Sequence, residues 1–240
     1  MAQRMTGARL FAQTLKAYGV SHVFFMDAIL RRALAEMEDF GITRVLGHSE
    51  KAVAYMADGF ARVSGRPGIC MAQSVGAADL AGAMQDPYLG HSAVIAFTGR
   101  HVPQFQHRNA YQEVQHGPLY AAVTKFHAKV ATLDQMQHLM RSAFREATRG
   151  TPRPGHHDFA GPTGDAITPL EGEFDIVADE AHTRFPAFRP APGPAAATAA
   201  YRRTPAGSQR ALRLACRPGY VRAGVLPKRR RQEESRCSRS

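Results

Sequence analysis

Residues 44–76, RVLGHSEKAVAYMADGFARVSGRPGICMAQSVG, constrain this chain more than any other stretch. A short extended run, TRVL at 43–46, gives way to a helical pattern and then to a second apolar run, ICMAQ. Val53, Met56, Ala57 and Phe60 recur at helical spacing, Ser49 is a candidate N-cap and Gly65 a natural stop. Strand, helix, strand at these lengths predicts a parallel crossover unit. In open sheets of such units, ligands bind beyond the carboxyl ends of the strands. Glu50 stands there, in the first turn of the helix.

The rest of the chain repeats the alternation. Thr6 is a candidate N-cap for a helix carrying Ala8, Phe11, Leu15 and Tyr18, ended by Gly19. VSHVFF, 20–25, reads as a strand, and Leu30, Leu34 and Met37 mark a helix over about 28–38. After ICMAQ, the turn SVGAAD, 74–79, leads into a helix to about Gln85, which Pro87 follows. HSAVIAFTG, 91–99, is a strand. Residues 99–118 show no period and read as a long polar loop, a kind of segment that often carries function. A short strand within 121–130, an amphipathic helix over 133–149 and a last strand, HHDF at 156–159, complete the pattern. The expected fold is α/β: a three-layer α/β/α domain over residues 1–165 with a mostly parallel, six-stranded sheet. Residues 166–200 read as a linker, Pro/Ala-rich towards its end, and 201–240 as an Arg-rich, disordered basic C-terminal tail.

Charge bears on partners only once it is located. The formal net charge of +11 suggests nucleic acid, yet residues 1–200 hold 19 Lys and Arg against 18 Asp and Glu, and residues 201–240 hold 12 against 2. The folded part is near neutral, so no nucleic-acid partner is expected for it. No apolar run approaches the roughly 18–20 residues of a membrane span, so none is expected. Three cysteines and no secretory leader pattern point to a reducing, cytoplasmic setting.

Glu50 admits two readings. At a helix N-terminus a carboxylate complements the macrodipole, worth up to about 1 kcal/mol. Its neighbours Val45, Leu46 and AVAYMADGFA are apolar, however. Desolvation raises such a pKa and the helix end lowers it. If desolvation prevails, the group can donate and accept protons near neutral pH. The run His156–His157–Asp158 invites a metal reading, but neighbours on a strand point to opposite faces, so the two histidines cannot easily share an ion and no metal ligand is assigned. Cys70 reads as a small buried strand residue.

Residues 5–161 resemble the N-terminal, pyrimidine-binding domain of thiamine diphosphate enzymes of the acetolactate synthase and pyruvate decarboxylase type. The resemblance runs, in order and at matching spacing, through AYGVSHVFF, HSEKAVAYMADGFARVSGRPGICMAQSVGAADL, DPYLGHSAVIAFTGR, AYQEVQ, VTKF and FREATRGTPRPGHHDFAG. It implies that Glu50 hydrogen-bonds N1′ of the cofactor's aminopyrimidine. This favours the imino tautomer, whose nitrogen takes the thiazolium C2 proton, and the cofactor then serves as electron sink for a 2-keto acid. The same resemblance puts Ser74, Gly76 and Ala77 at the Gly-rich turn beside the cofactor, where only Gly76 keeps the family pattern. It puts Asp27 in a substrate-side turn, with FMDA replacing Gly-Val-Pro-Gly. Tyr111 and Gln112 match an aromatic–Gln pair that lines the pocket, although Gln112 reads equally as a solvated loop residue.

No Gly-Asp-Gly, the family's Mg²⁺ and diphosphate signature, occurs in the chain. Mg²⁺ is therefore expected only with the domain that carries that signature. Flavin contacts in relatives lie mostly in a middle domain, so FAD is not expected here. The resemblance thus implies part of a transferase or lyase, inactive alone and completed by homo-oligomerisation or by a separate diphosphate-domain chain. A frameshift past residue 200 in GC-rich coding sequence accounts for the tail; a genuine basic tail is the alternative. The rival function is a non-catalytic binding or regulatory protein that keeps the fold. An unrelated nucleotide binder is opposed by the lack of a G-x-G-x-x-G or Walker A pattern after the first strand.

Overall fold

The computed structural model describes residues 3–26, 30–101, 103–160, 169–172, 174 and 176–185. Strand β1 (Gln3–Thr6) runs directly into α1 (Gly7–Ala17), and Thr6 caps that helix by accepting the N–H of Arg9 at 3.2 Å. There follow β2 (His22–Phe25), α2 (Arg31–Glu36), β3 (Thr43–Leu46), α3 (Glu50–Ser64) and β4 (Gly68–Gln73). Next come α4 (Gly76–Ala83), α5 (Gln85–Leu89), β5 (Val94–Arg100), α6 (His116–Ala121) and β6 (Phe126–Val130). Helix α7 (Met136–Thr148), β7 (Gly155–Ala160) and β8 (Pro169–Gly172) complete the elements.

Six strands form one all-parallel sheet in the order β3-β2-β4-β5-β7-β6. Burial alternates along its central strands. Ile69, Met71, Ile95 and Phe97 face a layer built by α1, α2 and α7, with Leu10, Phe11, Leu15, Leu34, Met140 and Phe144. Cys70, Ala72, Val94 and Ala96 face the other layer, built by α3, α4 and Tyr120 of α6. This is the three-layer α/β/α arrangement that the alternation of strands and helices implies.

The two layers pack differently. The first is rich in large side chains, and Phe11 meets Phe97 edge-on with ring centroids 4.9 Å apart. The second relies on small ones: Ala54, Ala57 and Ala61 of α3 lie over Cys70, Ala72 and Ala96. Helix α3 comes so near that a Cβ on Gly68 would sit 2.7 Å from the carbonyl carbon of Ala57. Only glycine fits there.

Several expectations change in detail. The helix expected to run to about Gln85 ends at Ala83, and a short α5 (Gln85–Leu89) follows that contains Pro87 within its first turn, where the missing N–H has no intrahelical partner to lose. The loop expected over 99–118 holds a 3₁₀ turn, Pro103–Phe105, and ends in α6, whose Gly117 and Pro118 hide its helical character. Burial of Tyr120 anchors that helix. Met56 is 41% exposed, because the buried row of α3 runs Val53–Ala57–Ala61 and Met56 lies off it. Strand β1 pairs antiparallel with β8, which was not anticipated. Residues 176–185, read as linker, include Ile176, Ala178 and Phe185 packed against the first layer's core. Asp27 and the whole of 201–240 lie outside the described residues.

Candidate functional site

A parallel sheet brings all its strand ends to one edge, and the chemistry-bearing residues gather there. β3 ends at Leu46, β4 at Gln73, β5 at Arg100 and β7 at Ala160. Glu50 is the first residue of α3, and Ser49 caps the helix by accepting the N–H of Ala52 at 3.2 Å. The Glu50 side chain lies across Gly76, the first residue of α4. A Cβ on Gly76 would come 2.9 Å from its Cδ and 3.1 Å from its Cγ, so the glycine leaves the space the carboxylate fills. Among the described residues that carboxylate has no hydrogen-bond or ion-pair partner. The site is less enclosed than its apolar neighbours suggest. Glu50 is half-buried, Val45 likewise, and Leu46 is 59% exposed.

The turn after β4 is held from three sides. Ser74 is buried with φ +43°, a conformation that costs a non-glycine residue about 1–3 kcal/mol unless its surroundings impose it. Its N–H donates to the Gly99 carbonyl of β5 at 2.8 Å. Its carbonyl accepts from the Ala77 N–H at 3.1 Å and from His116 Nε2 at 3.0 Å. Ala77 is buried, and its carbonyl accepts from Tyr120 Oη at 2.9 Å. Burial pushes the Tyr120 phenol well above its ordinary pKa and keeps it a donor.

His116 opens a buried polar chain. Its Nδ1 lies 2.9 Å from Asp158 Oδ1 and 3.1 Å from Thr98 Oγ1. Thr98 Oγ1 is also 2.7 Å from His156 Nε2. The other carboxylate oxygen of Asp158 pairs with Arg100 Nε at 3.0 Å. Arg100 Nη1 donates to Gln106 Oε1 at 2.9 Å, Gln106 Nε2 to the His101 carbonyl at 2.6 Å, and His101 Nε2 to the Tyr111 carbonyl at 2.6 Å. The loop is further closed by Glu113, which accepts the N–H groups of His107 at 2.5 Å and Ala110 at 3.3 Å. These backbone bonds, the one from His107 foremost, hold its carboxyl below the ordinary range.

A cleft lined by Ser74, Arg100, Gln106, Gln112 and Glu113 joins the turn to this loop. Gln112 therefore meets Ser74 at one cleft, whereas the Tyr111 side chain is 82% exposed and is not part of its lining. Glu50, Gly76, Ser74 and Ala77 form one contiguous group. His116, Thr98 and Arg100 were not singled out from the sequence, and Asp158 was weighed there only as a metal ligand. Asp158 carried a signal as a carboxylate inside an expected strand, and His116 carried none inside an aperiodic loop.

The paired histidines point to opposite faces. His156 stacks on Tyr120 with centroids 3.4 Å apart, and His157 packs near Phe97 and Phe126. Among the described residues no group of three or more His, Cys, Asp or Glu could hold a metal ion.

Residues 5–119 match the family model described as "Thiamine pyrophosphate enzyme, N-terminal TPP binding domain". The chain is 32% identical over 174 residues to the "Probable acetolactate synthase large subunit" of Methanocaldococcus jannaschii, covering 72% of this chain and 28% of that protein. It is 32% identical over 178 residues to the "Acetolactate synthase isozyme 2 large subunit" of Escherichia coli K12, covering 73% of this chain and 32% of the relative. It is 30% identical over 155 residues to "Acetolactate synthase, chloroplastic" of Arabidopsis thaliana, covering 63% of this chain and 23% of the relative. The chain thus spans a third or less of the length of these relatives.

Proposed function

Residues 5–119 belong to the thiamine pyrophosphate enzyme N-terminal TPP binding domains, in an acetolactate synthase-like chain, and from that premise we propose that this chain binds the aminopyrimidine half of thiamine diphosphate through Glu50. The single observation that carries the reading is a carboxylate with no partner among the described residues, seated over a glycine at the carboxyl edge of a parallel sheet.

The residues present suit that half of the cofactor. Gly76 leaves the room that the Glu50 carboxylate occupies at the sheet edge, and the half-exposed Val75 beside it offers an apolar surface. Glu50 would hold the aminopyrimidine through a hydrogen bond to its ring nitrogen N1′ and keep the shared proton in place. Gly76 leaves room for the carboxylate, and Gln112, which shares a cleft with Ser74, would stand on the substrate side. Thiamine diphosphate, when bound, supplies the electron sink for decarboxylation of a 2-keto acid. Among the described residues no cluster suits Mg²⁺, and the diphosphate and Mg²⁺ anchors are assigned to a separate diphosphate-domain chain. The open rim supports a covering partner: Leu46 is 59% and Val75 48% exposed, both beside Glu50's turn. A 2-keto acid carboligase or decarboxylase working in the cytoplasm is the whole-enzyme reading.

The test is a titration of the full chain with thiamine, followed by amide NMR. Wild type should show saturable shifts at Gly76 and Ala77, and Glu50→Gln should lose most of the affinity. Mixing with a diphosphate-domain chain, Mg²⁺ and thiamine diphosphate should then yield pyruvate decarboxylation that Glu50→Gln abolishes. Equal behaviour of the two proteins in both assays would sink the proposed role.

A further inference from the structure

We propose that His116 is a positioning residue for this site: it holds the Ser74 carbonyl and, through Asp158 and Arg100, ties the turn beneath Glu50 to the loop that carries Gln112. The inference rests on the reading of that turn as the pyrimidine site.

The geometry supports it from both ends of the ring. The Ser74 carbonyl can only accept, so His116 Nε2 carries the proton of their 3.0 Å bond. Ser74 is a non-glycine residue at φ +43° and needs external restraint to stay there. Two of its restraints, the Gly99 and Ala77 bonds, are backbone features any sequence could supply. The third is a fully buried side chain from α6, reaching 42 positions back along the chain. The far side of the ring meets Asp158, whose second oxygen pairs with Arg100, the residue that leads into the loop. Gly76, on which Glu50 rests, is two residues beyond Ser74. Among the described residues, His116 thus touches the turn with its side chain and, in three further contacts, reaches Gln106 in the loop. A histidine that only fills the core would have no need of a donor aimed at a strained carbonyl.

Two substitutions separate these roles. Glutamine places its amide nitrogen where Nε2 sits, so His116→Gln keeps a donor for Ser74 and gives up Asp158. Asparagine places its nitrogen near Nδ1, so His116→Asn keeps Asp158 and gives up Ser74. Both remove a buried ring and should lose comparable global stability. Hydrogen exchange of the Ala77 amide, bonded to the same carbonyl, is compared in the full chain with that of Ile69 and Ile95 in the neighbouring strands. In His116→Asn, Ala77 should exchange about tenfold faster relative to those strands, the size of one lost bond to a buried carbonyl. In His116→Gln it should move only with the strands. Thiamine affinity should follow the same order, with the asparagine variant about tenfold weaker than the glutamine variant. Equal effects of the two variants on Ala77, or none, overturn the proposal. Should neither variant fold, ¹⁵N spectra of the wild-type histidines decide: a His116 ring protonated on Nδ1 alone is incompatible with it. The cofactor reading fails separately, if wild type does not bind thiamine or binds it no better than Glu50→Gln. The exchange comparison still decides on His116 in that case.

Discussion

Both ring nitrogens of His157 are buried without a hydrogen-bond partner among the described residues, between β7 and the layer of α7. Burial favours the neutral ring and pushes its pKa down to about 3. In the unfolded chain the same ring titrates near ~6.5. The unfolded state therefore takes up a proton that the folded state refuses. Stability from this group is complete above about pH 6.5 and is lost as the pH falls from there towards 3. Between pH 7 and 5 the loss is about 2 kcal/mol from His157 alone. His156, pushed well below its ordinary value by burial, acts in the same direction. Urea midpoints measured from pH 7 to 5 should fall in wild type, and His157→Leu should remove about one proton from that slope. An unchanged slope would rule the ring out as its source. Gly76 makes a second residue-scale case. Gly76→Ala puts a methyl group where the Glu50 carboxylate lies, and Glu50 is flexible enough to swing away. The variant should keep its thermal midpoint within a few degrees while thiamine-induced shifts disappear, read by calorimetry and NMR on the same samples.

Helix α3 is the element on which the site depends, and two features set its place. Ser49 supplies its N-terminal cap, and Ser49→Ala should cost about 1 kcal/mol by denaturant titration. Gly68 sets how near the helix comes to β4. Gly68→Ala drives a methyl into the Ala57 backbone, which cannot rotate away, and should cost about 1–3 kcal/mol or more with shifted signals along α3. The helix was legible because its cap, its stop at Gly65 and its apolar spacing agree. Helix α6 was not, because Gly117 and Pro118 argue locally against a helix and only the distant burial of Tyr120 favours one. The same holds for β1, whose partner β8 lies over 160 residues away. Glu50 and Gly76 were readable as separate residues, yet their contact depends on how closely α3 and α4 approach. The His116–Asp158–Arg100 chain was hidden for a similar reason: its members come from three elements and share no spacing.

As a whole, the domain presents its strand ends on an edge where Leu46 and Val75 stand largely exposed. If a second copy or a partner chain covers that edge, Leu46→Lys with Val75→Lys should weaken assembly in sedimentation while leaving the thermal midpoint of the single chain unchanged. The sheet also separates two kinds of interior, aromatic on one face and alanine-rich on the other. That asymmetry divides the molecule's freedom to drift. A phenylalanine can be trimmed, exchanged for leucine or repacked, and each step leaves a graded record in stability. An alanine against an alanine has almost nothing to give up and no room to grow. Lineages of this fold should therefore wander through the interior on the α1–α7 side and stand nearly still on the α3–α4 side. Sequence turnover alone would then mark which half of the core carries the site, before any ligand is added.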